Sequence, residues 1–410
     1  MISQRVDTTI VLPGIASAHS HAFQRALRGR TQALSQQDES FWSWRSLMYR
    51  FASKLDPQSM YTLCRYAFAE LALNGVTAVG EFHYLHHDPS GQPYSNRTEM
   101  AEMAIRAAQD IGIRIALLRV VYQRGGQHQS LDPVQKRFAD ADLDDVFEDI
   151  AALKKQFSGD ESVQIGLAPH SVRAVPQSSL LDIASFLRAQ GDAVPVHAHV
   201  SEQEAENKAC YEEYACSPVE VFADAGLLGP HFCAVHATHL SSTDIKLLAD
   251  SKSIVCLCRG TERDLGDGLP LVRELCEAKI PICFGADSHA ISDPFEEARA
   301  AELDERSRLK RRQVALDGQA LLRASSEHGY QALGMHSKYD EDRVVLSAND
   351  PALVSDEQTP LDDLVMFSAT ARAVRDVVVG KKKIVENGIL AGFETIKAEY
   401  QKLLRKLVMQ

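Results

Sequence analysis

Two histidines one residue apart, His19 and His21, follow an apolar run that ends at Pro13-Gly14. In an extended chain, side chains two positions apart point to the same side, so both imidazoles can grip one cation. Neutral imidazole suits zinc, copper, iron and nickel, and zinc is the usual choice for redox-free hydrolysis. Matching residues recur where later apolar runs end: Glu81, His83, Tyr84, His86 and His87, then His170 and Arg173, then His197, His199 and Glu202. His236 and His239 close the next such run, and Asp287 and His289 the last. His19, His21, Asp287 and one histidine of the His197-Ala-His199 pair make up a mononuclear site. Periodicity does not separate His197 from His199. His199 is preferred because it begins His-x-x-Glu and leaves Glu202 beside the metal as a proton carrier; His197 then serves packing. A catalytic zinc keeps one position for water, whose pKa falls toward ~7 on the metal. A two-metal site needs a bridging carboxylate or carboxylated lysine, and no lysine lies between Val163 and His170, so one ion is expected. His236 is the second candidate for proton transfer, while His239 and His289 read as structural.

The chain carries a net charge of -12, which argues against binding a phosphate backbone and favours a small-molecule role. Within that acidic background, Arg45 in Phe41-Trp-Ser-Trp-Arg45 and Arg173 in His170-Ser-Val-Arg173 stand in loops that reach the metal residues. A guanidinium matches a carboxylate with two parallel hydrogen bonds, so two arginines point to an anionic, dicarboxylate ligand. Gln24, Tyr84 and His170 can add further donors.

These residues need a scaffold that gathers strand ends. The 410 residues are 45% hydrophobic and 24% charged, as in an ordinary globular enzyme. Short apolar runs alternate with amphipathic segments. Strand candidates are Thr9–Leu12, Thr77–Phe82, Arg114–Val121, Val163–Ala168, Val194–His199, Cys233–His236, Ile254–Leu257 and Ile282–Ala286. Helix-period segments such as Met60–Leu73 and Leu143–Phe157 separate them, with Gly75 and Gly191 where helix-ending glycines belong. Eight alternations predict a (β/α)8 TIM-like barrel, whose active site is built at the C-terminal strand ends. No GxGxxG follows an early strand, which sets aside a dinucleotide-binding sheet. Pro294–His328 reads as helix on the outside. From Arg343 the texture changes to short strands (Val344–Leu346, Leu364–Phe367, Val377–Val379, Lys383–Val385) and a last helix, Phe393–Val408. The expected division is 1–12 as a remnant of a small β domain, 13–340 as the barrel, and 341–410 as a small β unit with a terminal helix. The eight cysteines form no CxxC pair, and Cys233, Cys256 and Cys283 read as buried hydrophobes. No signal peptide or apolar span is legible, so a cytoplasmic enzyme without membrane or nucleic-acid partners is expected.

The motifs Pro13-Gly14, His19-Ser-His21-Ala-Phe-Gln24-Arg25, Trp42-Ser-Trp-Arg45 and Phe82-His-Tyr84-Leu-His-His carry a resemblance, as do His170-Ser-Val-Arg173, His197-Ala-His199-Val-Ser-Glu202, Leu265-Gly-Asp-Gly and Asp287-Ser-His. Together they resemble the amidohydrolase superfamily and, within it, the formimidoylglutamate deiminases. The HxH and Asp-Ser-His pieces are widely shared; Trp-Ser-Trp-Arg and Phe-His-Tyr-x-His-His are narrower. The resemblance implies one zinc ion per chain held by His19, His21, His199 and Asp287, with Glu202 and His236 handling protons. Gln24, Arg45, Tyr84, His170 and Arg173 match positions that grip the glutamate portion of N-formimidoyl-L-glutamate. The implied reaction is hydrolysis of its formimino C=N to N-formyl-L-glutamate and ammonia, in histidine degradation, and the implied assembly is a homodimer. Two features depart from the family. A longer N-terminal segment normally completes a small β-sandwich, but twelve residues precede Pro13 here, so an incomplete sandwich is expected. Arg259-Gly260 and Arg263-Asp264 replace Pro-Thr and Ala-Asn, which changes loop stiffness and charge near the mouth. The alternatives are a deaminase of another carboxylated imine, guanidine or heterocycle, and an inactive metal-binding scaffold. Retention of every candidate catalytic residue speaks against the scaffold.

Overall fold

The computed structural model describes residues 3–32, 41–191 and 194–408. The chain opens with β1 (Gln4–Val6) and β2 (Thr9–Pro13). It then lays down β3 (Ile15–Ser20), β4 (Val76–His83), β5 (Arg114–Val121) and β6 (Val163–Pro169), followed by β7 (Val196–Val200), β8 (Phe232–His236), β9 (Ile254–Leu257) and β10 (Ile282–Phe284). The last strands are β11 (Arg343–Ser347), β12 (Val374–Val379), β13 (Lys382–Glu386) and β14 (Ile389–Leu390). Strands β3 to β10 run parallel and pair in chain order. A parallel bridge between Ser20 and Asp287 joins the two ends of this sheet and makes the barrel. β3, β4 and β5 have no exposed residue, as expected of strands covered on both faces. Small side chains fill the barrel floor, among them Ala16, Ala18, Ala78, Cys233, Cys256 and Cys283.

The connecting helices carry their own start signals. Asp56 caps the helix Pro57–Leu73 by accepting from the Ser59 amide at 2.7 Å, with Pro57 in its first turn. Ser217 and Glu220 form a capping box on the helix Pro218–Asp224. No helix among the described residues is long and apolar enough to cross a membrane.

Three expectations are corrected. Thr9–Leu12 is not a barrel strand: β2 pairs with β11 in the small sheet, and the first barrel strand is Ile15–Ser20, which carries His19 itself. Only Gly14 separates β2 from β3. The chain crosses between two sheets there, so tightly that a Cβ on Gly14 would lie 2.6 Å from Tyr330 Oη. Leu364–Phe367 belongs to the helix Leu361–Ser368, which follows Pro360 and carries Asp362 and Asp363 in its first turn. The small unit is a single antiparallel sheet, ordered β1-β2-β11-β12-β13-β14, rather than a sandwich. The short N-terminal stretch supplies two of its strands.

The barrel seam is the tightest point of the fold. Asp287 N donates to His19 O at 3.0 Å and His21 N to Asp287 O at 2.8 Å. A Cβ on Gly285 would lie 2.8 Å from the His19 carbonyl oxygen. Gly285→Ala is therefore expected to lower stability by about 1–3 kcal/mol through overpacking. Gly229→Ala, with nothing within 4 Å of the new atom, should cause no loss. Urea unfolding midpoints check this, and an unchanged Gly285→Ala midpoint removes the constraint.

Candidate active site

His19 is the penultimate residue of β3, and His21 follows the strand with its backbone fixed to Asp287. Behind them the buried carboxylate of Glu81 accepts from Ser20 Oγ at 2.7 Å and from Ala22 N at 2.9 Å. Burial raises the Glu81 pKa to about 8 despite those donors. His199 stands near the end of β7, and Asp287 comes three residues after β10. The ring nitrogens of His19, His21 and His199 lie within 4.8 Å of one another. His19 Nε2 is 3.2 Å from His199 Nε2. Asp287 Oδ1 is 3.6 Å from His19 Nε2 and 3.4 Å from His21 Nε2.

The hydrogen bonds behind these rings determine what faces inward. His21 Nδ1 is 3.1 Å from the Phe82 carbonyl oxygen, and His199 Nδ1 is 3.1 Å from that of His170. A carbonyl only accepts, so each Nδ1 carries the proton and each Nε2 presents a lone pair. Burial holds the pKa of His19 down at about 3 and lowers those of His21 and His199, so the rings are neutral. The Asp287 carboxyl is buried too, but the bond from His19 and the neighbouring imidazoles hold its pKa below the usual range. Two imidazole lone pairs and a carboxylate thus converge on one point. A cation there removes their mutual repulsion, and the N/O donor set suits zinc.

On the other side of Asp287 stands His236, whose Nε2 is 3.6 Å from Asp287 Oδ2 and 3.7 Å from Glu202 Oε1. Its Nδ1 faces Glu262 Oε1 at 3.3 Å. Burial opposes the charged form of His236, but Glu202, Glu262 and Asp287 prevail and raise its pKa to about 10. Burial also raises the Glu202 pKa, against the pull of His236 and Arg173. Ser201, His236 and Asp287 all have positive φ, at 51°, 69° and 45°. Such backbone is costly for residues with a side chain, and it turns the strand exits inward here.

One pocket joins this cluster to the predicted substrate residues. Its lining includes His21, Gln24, Arg45, Tyr84, His170, Arg173, His199, Glu202, His236 and Asp287. Gln24 lies in the turn Ala22–Leu27, and its amide donates to Tyr84 Oη at 2.8 Å. Arg45 projects from the helix Phe41–Ala52, donating to Tyr49 Oη at 2.6 Å and to the Gly125 carbonyl at 3.3 Å.

Other expectations are not met at the mouth. His83, His86 and His87 are absent from the lining; His86 Nε2 lies 3.0 Å from Val120 O, and His87 Nε2 donates to Ala139 O at 2.9 Å. By contrast, His197, read as packing, donates to Ala332 O, and of the two read as structural, His239 donates to Asp267 O and His289 meets Ser20 Oγ. Arg259 adds no charge to the mouth. It is buried against Glu262 and reaches Asp304 at 2.7 Å, within the short helix Arg259–Leu265. Sequence reasoning also missed residues. Tyr122 lines the pocket one residue past β5, where the rule that located His170 would have found it. Tyr49, Met48 and Phe138 come from inserted loops and helices that carry no such signal. Glu262, which faces His236, sits in the loop read only for its departures.

The sequence pattern of the Amidohydrolase family matches residues 10–341. This chain belongs to the amidohydrolase family. As an amidohydrolase it is a metal-dependent hydrolase. It is 34% identical to the formimidoylglutamate deiminase of Pseudomonas aeruginosa, covering 97% of this chain and 89% of that protein. The 8-oxoguanine deaminase of the same organism is 26% identical, with 93% and 83% covered. The crystal structure of an amidohydrolase from Brucella melitensis superposes with a TM-score of 0.90 at 32% identity, covering 97% of this chain and 90% of that one. A zinc-bound adenosine deaminase from Xanthomonas campestris shares the fold, with a TM-score of 0.81 at 21% identity and 98% and 86% covered.

Removing the carboxylate from the converging set should release the metal. Asp287→Ala is expected to purify with little bound metal by elemental analysis and with an unchanged far-UV circular dichroism spectrum. A full metal complement in that variant would take Asp287 out of the site.

Proposed function

We propose that this amidohydrolase is a formimidoylglutamate deiminase, converting N-formimidoyl-L-glutamate and water to N-formyl-L-glutamate and ammonia. The observation that carries the reading is one pocket that holds both the lone-pair cluster and two arginines. The 34% identity to the Pseudomonas aeruginosa enzyme over nearly the whole chain supports the same substrate. His19, His21, His199 and Asp287 would hold one zinc ion. When bound, zinc supplies a Lewis acid that makes water a nucleophile near neutral pH.

The chain's own groups supply the remainder. Arg45 and Arg173 each present a planar fork for one carboxylate of the glutamate portion. The phenol of Tyr49 holds the Arg45 fork in orientation. Gln24, Tyr84 and His170 add polar contacts between the carboxylates and the reacting carbon. As water oxygen bonds to the formimino carbon, Glu202 accepts a water proton and delivers it to the imino nitrogen. His236, held through its Nδ1 by Glu262, stabilises the developing charge on that oxygen. The remaining hydroxyl proton then follows to the same nitrogen, the C–N bond breaks, and ammonia leaves. Both hydrogens of the water end on ammonia and its oxygen on the formyl carbon. All eight cysteines are free thiols and six are buried, which supports the reducing cytoplasm as the compartment.

Zinc-loaded protein should release ammonia from N-formimidoyl-L-glutamate in a coupled assay, and Glu202→Gln should keep zinc but lose about 100- to 10,000-fold in kcat. No turnover at verified zinc content would defeat the substrate, and a panel of guanidino acids and aminated heterocycles would then search for the true one. Arg173→Met is expected to raise KM by about ten- to a hundredfold, the loss of a charge-assisted bond. An unchanged KM refutes the carboxylate clamp.

A further inference from the structure

Beside the first cluster lies a second convergence, in which Asp267, a residue the deimination reading does not use, joins Glu202 and His236. The ligand atoms of Glu202, His236 and Asp267 lie within 4.8 Å of one another. All three side chains are buried, Asp267 with 4% of its surface exposed. We propose that Glu202, His236 and Asp267 form a second divalent-cation site, and that a second zinc ion bound there inhibits the enzyme.

The strongest support is the state of the Asp267 carboxyl. One oxygen accepts from the Gln203 amide, while Oδ2 is buried without a hydrogen-bond partner among the described residues. A buried acceptor without a partner is costly, and native proteins keep few of them without a reason. Asp267 does not reach this position by chance of a loose loop. Its amide donates to Glu262 O at 2.9 Å, and its carbonyl accepts from His239 Nε2 at 2.8 Å, so the carboxyl is clamped from both sides.

His236 is built as a metal-binding histidine would be. A carboxylate, Glu262, holds Nδ1 at 3.3 Å and leaves Nε2 facing inward. From that Nε2 to Glu202 Oε1 is 3.7 Å. Zinc bonds of about 2.0–2.2 Å in a tetrahedral set place neighbouring ligand atoms roughly 3.3–3.6 Å apart, so small side-chain rotations complete the site. The proposal rests on the deiminase reading in one respect: Glu202 and His236 are its proton carriers. A cation that displaces the His236 Nε2 proton and takes a Glu202 oxygen stops both groups from moving protons. Zinc then activates at the first equivalent and inhibits at the second.

Holoprotein carrying one zinc, dialysed against excess zinc and assayed by elemental analysis, should take up a second equivalent, and Asp267→Asn should lose it while keeping the first. Crystals of the wild-type protein grown in excess zinc should show a second anomalous peak bounded by Glu202, His236 and Asp267. A single equivalent under excess zinc, a second equivalent retained with equal affinity in Asp267→Asn, or a second peak elsewhere on the protein would each overturn the proposal. Failure to hold even the first equivalent would instead strike the metallohydrolase reading itself, so the two failures are distinct.

Discussion

The structure depends on the seam where the first and last barrel strands meet. There the backbone of Asp287 exchanges hydrogen bonds with His19 and His21, at 3.0 and 2.8 Å. Ala286 N adds a third bond to Ser17 Oγ at 3.0 Å. The same residues that close the barrel therefore present the imidazoles and the carboxylate. Gly285 allows the approach, because any side chain there would press on the His19 backbone. Metal sites tolerate ligand displacements of only about 0.2 Å. A seam that splayed by that much would spoil the site before it unfolded the barrel. Sheet closure and ligand geometry are one constraint.

Around that seam, the charge distribution has a consistent logic. Asp287, Glu202, Glu262 and Asp267 crowd around His236. Four buried carboxyl groups around one imidazole call for protons or cations. Arg259 answers part of this from behind, pairing with Glu262 while Asp304 takes its other edge. Arg45 and Arg173 line the same pocket, and Arg173 is near enough to Glu202 to draw on its charge. The pocket thus brings buried carboxyl groups and two guanidinium groups into one cavity.

The parts of this that were legible in the sequence share a physical cause. His19, His21, His170, His199, His236 and Asp287 each end or follow a short apolar run, and a parallel barrel sends every such end to one mouth. Arg173 was legible because it lies three residues beyond His170. The misreadings have causes too. Thr9–Leu12 alternates like any strand, and nothing local says which of two sheets will take it; the answer lies in its pairing with Val344 and Leu346, more than 330 residues away. His86 looked equivalent to Tyr84 but turns back to Val120 O and the Arg119 guanidinium. Tyr49, one turn on from Arg45 in the same helix, orients that guanidinium, while Tyr122 meets it from a strand end, a contact no local pattern announces.

The unusual loop after β9 shows how far a local departure reaches. Where the resemblance implies a proline, Arg259 is fully buried, and its charge is spent on Glu262 and Asp304 rather than on the pocket. Gly260 donates its amide to Glu297 at 2.9 Å, and a Cβ there would collide with that carboxylate. The two replacements therefore act as a pair: the glycine admits Glu297 to the loop, and the arginine stiffens the loop from outside. Thr261 still binds Ser288 Oγ at 3.0 Å, and Glu262 still faces His236. What the loop presents to the site is Glu262, which faces His236, and Leu265, which lines the pocket. Arg45 and Arg173, the arginines proposed to take the substrate's anionic end, come from other elements. Under the proposed function, then, the anion-binding arginines come from the helix Phe41–Ala52 and the loop after β6, while the altered segment's charged contacts bear on Glu262 and, through it, on His236.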